Sequence, residues 1–252
     1  MARKHRERIF RMKQFSVRHE ISSNKVGVDG VLIGAWSPVE KTGLKILDVG
    51  CGCGLIALML AQRCQDAEII GIDIDDNAVK EAKENVESSP WSNRIIIKKR
   101  DFSSLCSEKP KFDLIVSNPP FFESGVDPSE SARMLARHAG TLSPRTLLEK
   151  SSDLLTDSGI LSLITLSEQY EELIEAANKN GLFPIRAVFV RGNPQKEAKR
   201  VMIAFRKPPV MPASECRDMP EISPTLLTIE NAPGEYTAEY ISLCREFYTI
   251  FD

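Results

Sequence analysis

The sequence predicts an α/β protein with a doubly wound, mostly parallel β-sheet whose last strand is antiparallel. Short apolar runs, typical of buried parallel strands, alternate along the chain with helical patterns. Such an alternation places helices on both faces of one sheet. The last two predicted strands are joined by a short polar loop, which predicts a hairpin and therefore an antiparallel strand at the edge of the sheet.

The limits of the elements follow from the apolar runs and from the residues that interrupt them. The predicted strands cover residues 45–49, 68–74, 95–99, 112–117, 160–166, 185–190 and 200–205. The predicted helices cover residues 31–36, 55–64, 76–87, 144–156, 168–180 and 237–251. Pro38, Pro90 and Gly181 each follow a predicted helix, where proline and glycine commonly end helices. Residues 15–21 alternate weakly, which predicts an edge strand or an ordered loop.

The length of 252 residues suits one large domain with extensions. We predict a basic N-terminal arm over residues 1–14, a main domain over residues 15–207, and a proline-rich extension over residues 208–252. The final predicted helix has an apolar face, so we expect it to dock on the domain.

Charge and cysteine usage limit the classes of function. The net charge of -2 gives no global indication of nucleic-acid binding, but the first twenty residues are locally basic. This arm fits RNA or DNA binding and equally fits a solubilising tail. No CxxC pair is present, which argues against a structural zinc site. The N-terminus lacks a secretory signal and no apolar run is long enough to span a membrane, so we expect a cytoplasmic protein. We also expect no bound metal.

Three alternating glycines, Gly50, Gly52 and Gly54, directly follow the first core strand and precede a helix. Glycine allows the backbone to approach a ligand closely, and the helix N-terminus directs its amides towards it. The stretch from Gly52 to Ala57 also matches the looser G-x-G-x-x-A pattern of dinucleotide sites, which leaves a nicotinamide oxidoreductase as an alternative. Asp48, just ahead of the glycines, favours S-adenosylmethionine instead.

The ends of the next two strands carry residues suited to an adenosine. Asp73 can accept hydrogen bonds from two ribose hydroxyls. Asp101 can accept from the adenine amino group, while the ring of Phe102 can pack on the adenine face or belong to the core. The sequence therefore predicts an S-adenosylmethionine site along this edge of the sheet.

The strand at 112–117 ends in Asn118-Pro119-Pro120-Phe121. Proline donates no ladder hydrogen bond and moves the preceding residue out of the helical region, so the motif is rigid. The Asn118 side-chain oxygen and the Pro119 carbonyl can accept from the two N–H groups of an acceptor amine, which directs its lone pair towards the methyl donor. Phe121 can stack on a planar acceptor.

These motifs resemble class I S-adenosylmethionine-dependent methyltransferases of the N-P-P-F/Y subgroup, over residues 15–206. The resemblance implies a Rossmann-like, seven-stranded sheet with a final antiparallel strand. It implies catalytic roles for Asn118, Pro119, Pro120 and Phe121, and donor-binding roles for the residues already named, including Asn118. Phenylalanine at the fourth position favours an adenine of a nucleic acid over a protein glutamine.

Three further segments are similar to bacterial tRNA adenine-N6 methyltransferases that act next to the anticodon of a valine tRNA. They are the leader around His19, residues 25–36, and Arg137-His138. In that family the 25–29 stretch covers the methionine end of the donor, which implies donor contacts for Lys25, Val26 and Asp29. Val28 stands where family members usually have threonine.

The resemblance implies tRNA as the partner, and we expect a monomer. The candidate RNA contacts are Phe121, Arg133, Arg137, His138, Arg8 and Arg11. For Arg133, Arg137 and His138, surface ion pairs with nearby acids are an equal alternative. The alternatives for the whole chain are methylation of rRNA, of DNA or of a protein glutamine, and a noncatalytic subunit that binds the donor and RNA.

Overall fold

The computed structural model describes residues 9–22, 25–39, 41–106, 112–120, 142–208 and 222–251. The strands are β1 (Ile9–Arg11), β2 (Ser16–Arg18), β3 (Lys45–Val49), β4 (Glu68–Asp73), β5 (Ile95–Lys99), β6 (Phe112–Ser117), β7 (Leu155–Leu166), β8 (Phe183–Arg191), β9 (Arg200–Arg206), β10 (Thr225–Thr228), β11 (Glu230–Ala232) and β12 (Glu235–Tyr236). The helices are α1 (Val28–Trp36), α2 (Leu55–Arg63), α3 (Asp76–Glu87), α4 (Pro144–Leu154), α5 (Tyr170–Lys179) and α6 (Ala238–Cys244).

Eight strands form the main sheet in the order β10-β8-β9-β7-β6-β3-β4-β5. The strands from β5 to β7 run parallel, and β9 is antiparallel to both of its neighbours. The doubly wound α/β fold with an antiparallel last core strand is therefore confirmed.

The predicted edge position of the last core strand is wrong. β9 lies between β7 and β8, and its central residues are buried. The hairpin pairs β9 with β8, but the second edge of β9 pairs with β7 over residues 160–166. An eighth strand, β10, comes from the proline-rich segment and pairs in parallel with β8.

The local limits differ from the sequence predictions where tertiary contacts override local signals. Residues 157–159, between the predicted helix 144–156 and the predicted strand 160–166, lie within β7 as an irregularity, because β6 pairs first with Leu155 and then with Ile160. Ser158 there has a positive φ of 67°. β1 and β2 form a separate hairpin, and β1 lies within the segment predicted as a polar arm. The limits of the three predicted segments stay a prediction.

Helices cover both faces of the sheet. α1, α2, α3 and α6 contribute to one buried apolar cluster, and α4 and α5 contribute to the other. Trp36 and Phe205 illustrate the two clusters, with exposed fractions of 3% and 0%. No described helix is long and apolar enough to cross a membrane.

Burial within the sheet predicts the effect of truncating its isoleucines. Ile69 in β4 is 1% exposed, whereas Ile96 in the neighbouring β5 is 55% exposed. We expect Ile69→Ala to lower the free energy of unfolding by about 2–5 kcal/mol through lost burial and a cavity. Ile96→Ala should change it by roughly 0.5 kcal/mol or less. Urea unfolding of both variants tests this, and equal losses would contradict the burial described here.

Candidate active site

The candidate site forms where β3, β4 and β6 end side by side. Val49 lies opposite Ile72 in β4 and Ser117 in β6. The Ser117 hydroxyl donates to the Val49 carbonyl oxygen at 2.8 Å, which ties the two strand ends together. The glycine loop, residues 50–54, and Asn118 therefore begin next to each other, at the edge where open α/β sheets bind ligands.

The glycine loop needs its glycines for both conformation and space. Gly50 and Gly54 have φ values of 68° and 84°, in the left-handed region that side chains disfavour. A Cβ atom on Gly50 would also lie 3.0 Å from Leu142 Cδ2. Gly54 is the N-cap of α2 but has no side chain to cap it. The first amides of α2 are thus left for other groups.

Asp48 supplies part of that cap from beneath the loop. Its side chain is fully buried, and Oδ2 accepts from the Ala57 amide in the first turn of α2 at 3.0 Å. Burial raises the pKa of Asp48 to about 7, although the Ala57 hydrogen bond opposes this; the charge of Asp73 raises it further. Its Oδ1 has no hydrogen-bond partner among the described residues. We therefore assign Asp48 to holding the loop, since its carboxyl group is not exposed to a ligand.

Asp73 holds the loop from the end of β4. Its Oδ2 accepts from the Gly52 amide at 2.9 Å, and its Oδ1 accepts from the Asp75 amide at 3.0 Å. The residue is half-buried, so it stays partly open to solvent at the end of β4. Ile74, which follows it, is 40% exposed and is a candidate contact that the sequence analysis missed. The sequence contained one signal for this contact, an apolar residue directly after the acid that ends the strand.

The pair at the end of β5 consists of a carboxylate that holds the following turn and a ring that packs in the core. Asp101 Oδ1 accepts from the Ser103 amide at 2.8 Å, and Oδ2 accepts from the Ser103 hydroxyl at 2.7 Å. Phe102 is 4% exposed and belongs to the apolar cluster that contains Val49 and Ile72. Its ring fills the core, which was the alternative interpretation. A contact with an adenine face falls more naturally to Ile74.

The three residues of the 25–29 stretch that were expected near the donor are each fixed by other parts of the chain. The Lys25 ammonium donates to the Glu20 and Ser22 carbonyl oxygens, both at 2.7 Å. The Val26 amide donates to His19 Nδ1 at 3.3 Å, so His19 has a structural task. Asp29, in the first turn of α1, forms a half-buried ion pair with Arg200 of β9 at 3.0 Å.

Arg200 was not anticipated as part of this region. Its β9 position faces the end of β7, with Leu166 as its cross-strand partner, which puts it at the same edge of the sheet as the glycine loop. The Asp29–Arg200 pair therefore links α1 to the sheet. Only the pairing of β9 with β7 reveals this contact, and the sequence pattern does not contain it.

The Asn118 side chain is the central polar group of the site. Its Oδ1 is buried and has no hydrogen-bond partner among the described residues. A Cβ on Gly30 would lie 3.9 Å from Asn118 Nδ2, so α1 closes over the motif on one side. Pro119 is buried and Pro120 is exposed. A buried amide oxygen without a partner costs free energy unless a ligand group donates to it.

Several expected contacts lie outside the described residues. These are Phe121, Arg133, Arg137, His138 and Arg8. Arg11 is exposed in β1. Within the described ranges, no group of histidine, cysteine, aspartate and glutamate side chains is arranged to hold a metal ion.

The described residues fit an adenosyl donor with a methionine end. Three of the five loop residues carry no side chain, and the half-buried Asp73 carboxylate can face a ribose. The exposed Ile74 side chain can cover an adenine. Asn118, whose side-chain oxygen has no partner among the described residues, lies beside the start of the loop.

The buried Asp48 carboxyl predicts a pH-dependent stability. Its folded-state pKa of about 7 lies above the ordinary value of 3.8, so the folded state binds the proton more tightly. The contribution of the protonated Asp48 to the free energy of unfolding is fully present below about pH 4 and is lost as the pH rises through about 7. Relative to Asp48→Asn, the wild-type free energy of unfolding should fall by up to about 1.4 kcal/mol per pH unit in this window. Urea unfolding at several pH values gives the free energies. Equal changes of this free energy with pH in the two proteins would contradict this account.

Solved structures share the fold with this chain. A predicted O-methyltransferase from Agrobacterium tumefaciens superimposes with a TM-score of 0.63 and is 16% identical, over 87% of this chain and 96% of that one. The [4+2]-cyclase SpnF superimposes with a TM-score of 0.54 at 15% identity, over 78% of this chain and 90% of that one. Because the fold serves a methyltransferase and a cyclase, it does not by itself decide the reaction.

Sequence comparisons identify the family. Residues 37–180 match the model of the methyltransferase small domain. Proteins named tRNA1(Val) (adenine(37)-N6)-methyltransferase are similar over nearly their whole length. That of Flavobacterium psychrophilum is 38% identical over 95% of this chain and 99% of its own. That of Bacteroides fragilis is 40% identical over 95% and 97%, and that of Mannheimia succiniciproducens is 39% identical over 96% and 95%. The chain belongs to the family of S-adenosylmethionine-dependent methyltransferases that contains these tRNA1(Val) (adenine(37)-N6)-methyltransferases.

Proposed function

We propose that this protein transfers a methyl group from S-adenosylmethionine to the exocyclic N6 amine of an adenine in tRNA1(Val), next to the anticodon. The observation that carries the proposal is the buried Asn118 oxygen at the end of β6, beside the glycine loop, for which the described residues provide no hydrogen-bond partner. The names of relatives about 40% identical over 95% of the chain support the substrate. The protein is accordingly a tRNA-modifying transferase.

The donor is held along the ends of β3 and β4. Asp73 accepts from the ribose hydroxyls while its hydrogen bond to the Gly52 amide keeps the loop in place. Ile74 covers the adenine, and the glycines of the loop let the backbone approach the rest of the donor closely. When bound, S-adenosylmethionine supplies a methyl group that its sulfonium sulfur already makes electrophilic, so the protein needs no strong general base.

The acceptor amine is bound by the Asn118-Pro119 motif. An amine on an adenine ring is a weak nucleophile because its lone pair is delocalised into the ring. The Asn118 side-chain oxygen and the Pro119 carbonyl oxygen accept from its two N–H groups, which favours a tetrahedral nitrogen and turns the lone pair towards the donor. Both acceptors are rigid, so little reorganisation is needed as the methyl group moves.

Recognition of the tRNA is assigned to basic and aromatic residues of the sequence. Phe121 stacks on the extruded adenine, and Arg133, Arg137 and His138 contact phosphates. Arg8 and Arg11 add further positive charge for the RNA. The monomeric state and the cytoplasmic location stay predictions.

The direct test is methyl transfer from labelled S-adenosylmethionine to bulk bacterial tRNA that lacks this modification, followed by nucleoside analysis. We expect N6-methyladenosine in a valine tRNA. Label in rRNA, DNA or a protein glutamine, with none in tRNA, would keep the chemistry and overturn the substrate. Binding of NAD without binding of S-adenosylhomocysteine would overturn the donor.

Asn118→Ala separates the acceptor role from donor binding. Removing the amide oxygen should lower methyl transfer by at least about a hundredfold, in line with the loss of one transition-state hydrogen-bonding group. S-adenosylhomocysteine affinity, measured by calorimetry, should change little. Asn231→Ala, at an exposed position in β11, is the matched control. Turnover of Asn118→Ala close to that of the control would refute the role of Asn118.

The basic N-terminal arm predicts a salt-dependent RNA affinity. β1 begins at Ile9 and pairs with β2, so a truncation that removes residues 1–8 leaves this hairpin intact. The removed segment contains Arg3, Lys4, Arg6 and Arg8. We expect weaker tRNA binding and a shallower dependence of affinity on salt, by roughly 0.7–0.9 in slope for each phosphate that the truncated protein no longer neutralises. An unchanged slope would make the segment a solubilising tail.

A further inference from the structure

Helix α3 buries two polar side chains that have no part in the proposed chemistry. Glu81 and Asn85 are one helical turn apart and are 2% and 3% exposed. Residues four apart lie on the same face of a helix, so both point to the same neighbour. A buried carboxylate and a buried amide destabilise a fold unless their hydrogen-bonding groups are matched. The hydrogen-bond partners of Glu81 and Asn85 therefore show which parts of the chain these two side chains hold.

Glu81 is matched by the backbone of the leader. Its carboxylate accepts from the amides of Glu20, Ile21 and Ser22 at 2.5, 3.0 and 3.0 Å. Burial acts to raise the pKa of Glu81, but the Ser22 hydroxyl and these amides more than offset it, and the pKa lies below its ordinary value. The group is thus an anion at neutral pH, and charge-assisted hydrogen bonds fix residues 20–22 on α3.

Asn85 joins the leader to the glycine loop. Its Oδ1 accepts from the Arg18 amide and its Nδ2 donates to the Arg18 carbonyl oxygen, both at 2.8 Å, as a neighbouring strand would. The same Nδ2 donates to the Cys53 carbonyl oxygen at 2.8 Å. Cys53 lies between Gly52 and Gly54, inside the loop proposed to hold the donor. One amide group therefore connects the end of β2 to this loop.

The leader also connects to α1, the helix that lies beside Asn118. We call residues 18–22 the leader strap. The Lys25 ammonium holds its Glu20 and Ser22 carbonyl oxygens, and His19 accepts from the Val26 amide just before α1. α1 in turn brings Gly30 close to Asn118. The strap thus spans from the glycine loop to the helix that closes over Asn118.

We infer that Glu81 and Asn85 are positioning residues for the methyl donor, which hold the leader strap and through it fix the glycine loop. The inference rests on the proposed donor site and deepens it, because it makes the leader part of that site. Pairing with Arg18 fixes the orientation of the Asn85 amide, and this orientation presents an N–H group to Cys53. A loosened strap leaves the amide free to turn and removes this support from the loop.

Glu81→Gln tests the inference because the described hydrogen bonds of Glu81 all go to the strap. The variant loses the charge that strengthens these bonds but keeps the side-chain size. We expect S-adenosylhomocysteine to bind about tenfold more weakly by calorimetry, the effect of losing about one hydrogen bond. Asn85→Ala should weaken binding at least as much. Glu84→Gln, on the exposed face of the same helix, should bind as the wild type does.

Two controls separate positioning from general destabilisation. Ile69→Ala lowers stability without touching the strap, so its donor affinity should stay unchanged while it remains folded. Ser22→Ala removes a hydroxyl bonded to Glu81 and should give a smaller loss of donor affinity than Glu81→Gln. It provides a second test if Glu81→Gln fails to fold. In turnover assays, Glu81→Gln should raise the KM for the donor and leave kcat at saturating donor nearly unchanged.

The outcomes distinguish this inference from the proposed function. A folded Glu81→Gln or Ser22→Ala variant with wild-type donor affinity would overturn the inference alone. A loss of affinity in Ile69→Ala equal to that in Glu81→Gln would also overturn it, since stability would then explain both. Failure of the wild-type protein to bind S-adenosylhomocysteine would instead overturn the proposed donor site itself.

Discussion

The site depends on a loop that has almost no means of fixing its own path. Three glycines in five residues give residues 50–54 the conformations that a close ligand contact requires, and they also remove the side chains that would hold those conformations. The constraint is met from outside the loop. Asp48 holds the start of α2, Asp73 holds the Gly52 amide, and Asn85 holds the Cys53 carbonyl. Backbone hydrogen bonds from the Gly50 and Cys51 amides to the Ile72 carbonyl oxygen add to these three side chains in holding the loop.

The sequence was sufficient for the core of the sheet because the burial of parallel strands is visible in local composition. The apolar runs ahead of Gly50, Asp73 and Asn118 marked three strands whose ends meet at one edge, and the site was expected there. The order of pairing among the last strands was not visible, because any edge of β9 can accept a partner with suitable hydrogen-bonding groups. β9 therefore lies inside the sheet, and β10 occupies an edge that no local pattern predicted.

Within the site, the residue types were easier to predict than their partners. Asp48 and Phe102 were recognised as members of the region, but their burial depends on how α2 and the sheet pack. Glu81 and Asn85 resemble ordinary polar residues of an amphipathic helix, since their sequence neighbours are charged. Only the docking of a leader 59 to 67 positions earlier makes them buried groups with matched partners. Such contacts are a property of the fold.

The hairpin of β1 and β2 also meets the far end of the described chain. The Lys13 amide donates to the Phe247 carbonyl oxygen, the Lys13 ammonium donates to the carbonyl oxygen of Phe251, 238 residues away, and Met12 pairs with Tyr248. Contacts at such separation carry a large loop-closure entropy and form slowly. During synthesis, the hairpin leaves the ribosome long before residues 247–251 exist. The contacts of Met12 and Lys13 with residues 247–251 can therefore form only after every strand of the main sheet has been synthesised.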